Sequence, residues 1–426
     1  MDVLGIGDEA MTERGRGTVV VVGAGIVGLC IAYDLRKAGF DVTVLDRSPV
    51  ASECSSGNAG AISSRSVVPL AMPGLMKSVP GMLLDPSGPL YLPASYLLQA
   101  APWLVRFVAA ARPERVAAIS HALDALLSES VALHHALATE VGCPGRVQDT
   151  GQLHLYPDAA AMRKDQQGWA IKEAYGLTSE FVEGARIREL EPQVGEGYQA
   201  GLFLPDQAWV SEPLEYGRAI ARAARERGVT FEQSAVRRIR PAGAAWEVET
   251  DAGIRRADQV VLAAGAWSAR LLAPLGVKVP LESQRGYHVH VSEPGLHLQR
   301  QVVLVDRKVF ITQMESGLRV AGTVEFGGLG RAADARRAAL LFDHARRGLP
   351  ALRPDAARST WMGHRPCLPD SLPVIGPAPR HPGLWCAFGH GHLGLTGSAS
   401  TARLITGALT QQLDPARLLP FSANRF

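Results

Sequence analysis

The stretch that most constrains the fold is 18–47, TVVVVGAGIVGLCIAYDLRKAGFDVTVLDR. Its β-branched run 19–22 predicts a short buried strand. Gly23, Gly25 and Gly28 follow in G-x-G-x-x-G spacing, and Ile26, Leu29, Ile31 and Leu35 mark an amphipathic helix closed by Gly39. A second apolar run, 42–45, delivers Asp46, which lies 46 − 23 = 23 positions after the first glycine. Each part has a mechanical reason. Gly23 allows a sharp turn, Gly25 lets backbone approach a pyrophosphate, and Gly28 lets helix pack closely on strand. The helix N-terminus, with Ile26 and Val27 in its first turn, offers N–H donors and a positive dipole end to phosphates. Asp46, followed by Arg47, is placed to accept ribose hydroxyls. Strand, helix, second strand and acid together predict a dinucleotide site, where the glycines alone would be weak.

At 426 residues, two interleaved domains are expected. The net charge is only +3 (44 basic minus 41 acidic), so nucleic acid is not an expected partner. Five scattered cysteines form no C-x-x-C pair and no metal-like grouping. Free thiols in a reducing, cytoplasmic setting and no metal are expected. Residues 1–17 lack the apolar core of a secretory signal and are expected to be disordered.

Segment 53–65, ECSSGNAGAISSR, is small, polar and glycine-rich, so its backbone can lie against a flat ligand. Ser55, Ser56, Asn58, Ala59, Gly60 and Ile62 are expected to continue the cofactor groove, against the plainer possibility of a surface loop. The proline-rich stretch 69–93 predicts irregular wrapping. Segment 94–111 is interrupted by Gln99, Pro102 and Arg106, which disfavours one bilayer-spanning helix. Two short packed helices are expected there, in preference to a membrane-facing or quinone-facing plate. Segment 114–141 reads as one long amphipathic helix after Pro113. Its buried stripe holds Val116, Ile119, Leu123 and Leu137, and His134 and His135 are expected at the surface. A strand near 259–263 ends in AAGAWS, where Ala264, Gly265 and Trp267 bring backbone close to a ligand. Val236 opens another strand. Alternating segments between 280 and 326 predict an antiparallel sheet, with Tyr287, Val289 and Val291 on one face and His288 and His290 on the other. The glycine-rich turn 389–396, GHGHLGLT, opens a last helix, which presents a second N-terminus to partial negative charge.

VVGAGIVGL with Asp46-Arg47, SSGNAG, AAGAWS, GHRPCLPDSLPVIG and GHGHLGLT, in this order and at these separations, resemble the flavin-dependent D-amino-acid dehydrogenase branch of the D-amino-acid oxidase family. The resemblance covers residues 18 to about 426. It implies an α/β Rossmann-type FAD-binding domain from discontinuous segments 18–65, 206–280 and 355–422. It also implies a substrate domain with a large antiparallel sheet from 66–205 and 281–354, carrying a helical insert at about 94–142. The implied activity is oxidation of a D-amino acid, or a related secondary amine acid, with noncovalent FAD. The flavin ring is then expected between the 58–62 loop and a turn comprising Gly391, His392, Leu393, Gly394 and Thr396.

Taking a hydride from Cα requires the substrate to be held with that C–H over flavin N5, which is a positioning task. An arginine clamps a carboxylate bidentately. Arg365 matches the family's Arg-Pro position and is the expected clamp, with Arg285 the weaker candidate. Tyr287 is a candidate hydrogen-bond donor to the substrate, and His392 is expected at the flavin's pyrimidine edge. GHGHLGLT stands where a GHGTLGWT-like turn is usual, and SQRGYHVHV where a KGYSLTI-like strand is. With His392, His288 and His290 on the substrate side, a polar substrate such as cis-4-hydroxy-D-proline, or D-proline, is expected over D-alanine. A glycine- or sarcosine-type amine-acid oxidase and a non-catalytic flavin-carrying electron-transfer subunit compete with this expectation. An NAD enzyme would leave the later motifs unexplained. The electron acceptor, a quinone or another carrier, is open, and peripheral contact with the inner face of the membrane is an accompanying expectation.

Overall fold

In a computed structural model, which describes residues 16–74 and 88–426, Thr18–Val22 is the centre of a six-stranded sheet. The strand order is Thr230–Gln233, Asp41–Asp46, Thr18–Val22, Gln259–Leu262, Leu384–Phe388, Val374–Pro377, the first five parallel and the last antiparallel. Alternation along these strands feeds two cores. Val19, Val21, Val42, Val44 and Val261 pack against Ile26–Lys37, Pro213–Glu226 and Ser398–Leu409. Val20, Val22, Leu45, Val260 and Leu262 pack against Ile239, Trp246 and Val248 of a three-stranded meander. Parallel strands covered on both faces read as continuous apolar runs, as the sequence does here.

The second large sheet has nine strands. Its main path runs Arg358–Cys367, Glu282–Val291, Gly317–Phe326, Val309–Met314, Gln301–Leu304, Gln152–Tyr156, Ala200–Leu204, Glu180–Glu183, with Leu90–Tyr91 paired to Gly317–Phe326. One face packs Tyr287, Val289, Val291, Leu318 and Val320 against Ala338, Leu341 and Ala345 of the helix Ala335–Gly348. The opposite face carries Arg365, His288, Arg319, Thr312, Gln301 and His154, and looks toward the parallel sheet's loops.

Four expectations need correction. Segment 113–140 is two helices, Pro113–Leu127 and Ser130–Glu140. The break lets Ile119, Leu123, Leu126 and Leu127 on one and Leu137 and Ala138 on the other reach the same core as Leu29 and Ile405. That helical pair therefore packs on the parallel-sheet unit, not on the antiparallel sheet. The 94–111 segment is one helix, Leu97–Ala110, after a short turn, and tolerates Pro102 near its middle. Finally, Arg358–Cys367 pairs with Glu282–Val291 along its full length, so the strand bearing Arg365 belongs to the antiparallel sheet. The expected disorder of the head, for 1–15, and the irregular course of 75–87 lie outside the described residues.

Candidate active site

The phosphate cradle is built as its glycines demand. Gly23 has φ +117°, and a Cβ there would lie 2.3 Å from the Ala263 carbonyl oxygen. A Cβ on Gly28 would meet the Gly23 carbonyl oxygen at 2.0 Å, so helix and turn touch through backbone. At the helix N-terminus, Ile26 donates to Ser55 Oγ at 2.9 Å, while the N–H groups of Gly25 and Val27 have no acceptor among the described residues. Asp46 Oδ2 accepts from Ala24 N–H at 2.7 Å and Oδ1 from Ser48 N–H at 2.8 Å. Burial raises its pKa, and these two hydrogen bonds oppose the rise. The carboxylate is thus oriented, and each oxygen keeps a further lone pair for a ligand hydroxyl. Arg47 stacks on the Trp267 ring at 3.9 Å, which joins the second strand's end to the AAGAWS turn. Val236 and Ala264 pack beside Leu45 and Leu262, and Gly265 takes φ +53°. These groups converge at the carboxyl ends of the parallel strands, where open α/β sheets bind ligands.

The 55–60 loop is held from below by the antiparallel sheet. Arg319 Nη1 donates to the Ser56 and Asn58 carbonyls, both at 2.8 Å. Thr312 Oγ1 at 2.7 Å and Gln301 Nε2 at 3.0 Å donate to the Ala59 carbonyl, and His288 Nδ1 donates to the Gly57 carbonyl at 3.1 Å. Asn58 closes the loop by accepting from Gly60 N–H at 2.7 Å. Trp361 lies against Gly57 and stacks on His288 at 5.0 Å, so Gly57 has no room for a side chain. Ile62 is fully buried in a short three-stranded sheet.

The 389–396 turn is tied to both neighbours. Gly391 N–H donates to the Pro366 carbonyl at 2.8 Å, and Thr396 Oγ1 donates to the Ala61 carbonyl at 3.2 Å and accepts from Ser63 N–H at 3.3 Å. Behind it, His134 Nε2 donates to the Leu395 carbonyl at 2.9 Å while Nδ1 pairs with the Tyr216 hydroxyl at 3.0 Å. His134 is fully buried, which corrects its expected surface position, and burial pushes its pKa down to about 4. His135, beside it, reaches Asp149 at the surface. His390 Nε2 donates to Thr401 Oγ1 at 2.9 Å, because that hydroxyl already donates to the Gly397 carbonyl. Leu393 is buried, and the N–H groups of Gly394 and Leu395 have no acceptor among the described residues.

Arg365 extends along this same groove. Its guanidinium lies across Gly286, where a Cβ would sit 2.1 Å from Cζ. It donates to the Thr323 carbonyl at 2.8 Å and the Gly322 carbonyl at 3.4 Å, and makes no ion pair among the described residues. Desolvation pulls its pKa below the ordinary arginine value. Five N–H donors with two engaged leave a charged fork available. His392 is the exposed member of the 389–396 turn. Desolvation, with the charge of Arg365 next, lowers its pKa to about 4, so the ring is neutral at physiological pH.

Two candidates are corrected. Tyr287 lies on the opposite face of its strand, where its hydroxyl donates to Glu325 and accepts from Asp334 N–H at 3.0 Å. Arg285 pairs with Glu325 at 3.4 Å, both fully buried, and donates to the Ala332 carbonyl at 2.9 Å. A one-residue parity separates them from the groove. His288 is buried and donates through Nδ1 to the Gly57 carbonyl, and His290 donates through Nε2 to the Ser316 carbonyl, so each ring has one nitrogen engaged by backbone. Sequence reading missed Trp361, Arg319, Thr312 and Gln301, whose contacts in the 56–59 loop lie far away along the chain, 242 positions in the case of Gln301 and Ala59.

Comparison with known proteins agrees with this architecture. The model of the FAD dependent oxidoreductase family matches residues 18–408. A D-amino-acid oxidase of Bradyrhizobium diazoefficiens is 37% identical over 415 residues, covering 96% of this chain and 98% of its own. A D-amino acid dehydrogenase of Vibrio cholerae is 29% identical over 420 residues, with 96% and 98% covered. Among solved structures, a glycine oxidase from Geobacillus kaustophilus superimposes with a TM-score of 0.75 at 23% identity, covering 97% of this chain and all of its own. An L-proline dehydrogenase from P. horikoshii does so at 0.73 and 19% identity, with 97% and 98% covered. The last two establish likeness of fold.

Proposed function

This chain belongs to the FAD dependent oxidoreductase family, and on that premise we propose that it oxidises a D-amino acid at the Cα–N bond, giving an imino acid that water converts to the 2-oxo acid. Bound FAD supplies the acceptor for the hydride that leaves Cα. The residues present fit that cofactor: glycine backbone and orphan N–H groups for the pyrophosphate, Asp46 for the ribose, and the 55–60 loop and 389–396 turn for the flavin ring.

The observation that carries the reading is the unpaired charge of Arg365. A buried cation without a protein anion is costly, and it is retained where a ligand anion completes it. The α-carboxylate of an amino acid does so in a bidentate geometry that holds Cα in one place. His392, neutral and beside that charge, supplies a hydrogen bond without adding a second positive charge. The relatives' names, D-amino-acid oxidase and D-amino acid dehydrogenase, support the D configuration. D-Proline and cis-4-hydroxy-D-proline keep only His392 in their favour, since His288 and His290 are engaged elsewhere.

The helix Leu97–Ala110 leaves Leu97, Leu98, Val105 and Val108 exposed on an apolar stripe. Peripheral attachment to the inner face of the membrane, with a quinone or other carrier taking the electrons, is the accompanying proposal, checked by co-sedimentation with phospholipid vesicles.

Anaerobic bleaching of the flavin absorption, across D- and L-amino acids, D-prolines, glycine and sarcosine, tests the activity. Bleaching by D-amino acids and not by their L-enantiomers is expected. Bleaching by glycine or sarcosine alone, or by nothing in the panel, would sink it.

A further inference from the structure

On the groove face, Glu282–Val291 and Arg358–Cys367 set three cross-strand pairs in a row: His288 with Trp361, Gly286 with Gly363, and Gln284 with Arg365. The middle pair carries no side chains and forms a bare floor between two large neighbours. Trp361 folds over one half of it, since a Cβ on Gly363 would lie 1.9 Å from the indole. Arg365 covers the other half. A Cβ on Gly286 would lie 2.1 Å from Cζ, 2.2 Å from Nη2 and 2.6 Å from Nη1.

A glycine inside a strand weakens it, and often marks a place where another group must come close. Gly286 does not adopt a positive φ, so its backbone is one that alanine accepts. The three atoms nearest to an added Cβ all belong to the Arg365 guanidinium. What glycine supplies at 286 is therefore room for that one group.

The third strand is shaped to receive it. Between the pairs Arg285 with Glu325 and Tyr287 with Gly322, Gly286 alone faces both Thr323 and Val324, which makes a β-bulge. Thr323 takes φ +55°, a strained value for a β-branched residue, and its buried hydroxyl has no partner among the described residues. The N–H of Val324 holds the bulge in place by donating to the Pro89 carbonyl at 2.7 Å. Neither the strain nor the orphan hydroxyl favours folding. What the bulge provides is the Thr323 carbonyl 2.8 Å from Arg365 Nη1, beside the Gly322 carbonyl 3.4 Å from Nη2. Arg365 thus reaches from its own strand across the next to the third, through the gap at 286.

We propose that Gly286 is a positioning residue for the carboxylate clamp: the slot it leaves, ended by the Thr323 bulge, fixes where the Arg365 fork lies and so where the substrate carboxylate must sit. This rests on the reading that Arg365 holds the α-carboxylate. A side chain at 286 lifts the guanidinium away from the two carbonyls. The displaced group is the far end of a flexible chain, so the fold absorbs the change while the clamp loses its geometry.

The test uses the FAD-loaded enzyme, the D-amino acid that bleaches the flavin fastest, and propionate, a carboxylate without an amine, as competitive inhibitor. Gly286→Ala is expected to raise KM and the propionate inhibition constant about 10- to 100-fold, with kcat within a few-fold. Its melting temperature is expected to stay within about 2 °C of the unsubstituted enzyme. In an Arg365→Leu background the same substitution is expected to change neither constant by more than about twofold, because the group it displaces is gone. Unchanged constants in Gly286→Ala, or an equal rise in the Arg365→Leu background, overturn the inference and leave the role of Arg365 standing. Should Gly286→Ala fail to fold, its combination with Arg365→Leu decides. Melting at the temperature of Arg365→Leu alone supports the slot, and failure of that pair to fold overturns it. If Arg365→Leu by itself leaves both constants unchanged, or no D-amino acid bleaches the flavin, the underlying reading is wrong and this inference falls with it.

Discussion

Two arginines on opposite faces of the antiparallel sheet, Arg285 and Arg365, are partnered in opposite ways. On the helix-covered face, Arg285 and Glu325 are fully buried, 3.4 Å apart, with the Tyr287 hydroxyl closing the cluster. On the groove face, the half-buried Arg365 donates to two backbone carbonyls and has no protein anion among the described residues. The sheet is the same, and neighbours along one strand, such as Tyr287 and His288, serve opposite faces. A completed charge network is a structural device, and its members are costly to remove singly. An incomplete one marks where a ligand is awaited. Burial or residue type alone separates neither case; the partner does.

The sharpest way to break this contrast is to remove one charge from each face. Arg365→Leu is expected to lower kcat/KM about 10²- to 10³-fold, the size of truncating one partner of a desolvated charge pair, with the melting temperature of the ligand-free protein held or raised. Glu325→Gln should do the reverse. It strands Arg285 in the core and costs about 3–5 kcal/mol of stability, measured by denaturant unfolding, while KM in the folded fraction stays within a few-fold. Reversed outcomes would exchange the roles of the two faces.

A smaller effect follows from the histidines that hold the groove. The pKa of His134 and His390 is lowered to about 4 and that of His288 to about 3, in each case chiefly by burial. A depressed histidine contributes stability that is complete above the unfolded value of about 6.5 and is lost as pH falls toward the folded one. Melting temperature should therefore drop steadily between pH 6.5 and 4, with flavin release accompanying it. A flat profile over that window would show that these rings titrate normally.

The smallest change is expected for Tyr287→Phe. It removes one hydroxyl from the closed face, costs about 1 kcal/mol in stability, and leaves KM for the amino acid where it was. A tenfold rise in KM would return Tyr287 to the groove.

Much of the cofactor half was legible from residues 18–47 because its determinants are local. Apolar alternation, three glycines and an acid lie within one βαβ unit, and a glycine at φ +117° admits little else. The antiparallel sheet was legible as alternating segments, and Arg365 as a motif position. Register was not, and register separated Tyr287 from His288 and moved 358–367 between domains. Likewise His134 reads as a surface residue until the second of two helices brings it under Leu395.

By itself, then, the sequence determined the dinucleotide cradle, the class of fold and the candidate for the clamp, since each depends on residues adjacent along the chain. Only the tertiary structure decided which charges are paired. Glu325 lies 40 residues from Arg285, and nothing in their spacing says that they meet. Pairing is a property of distance in space, and a buried charge declares a function only when that distance is known.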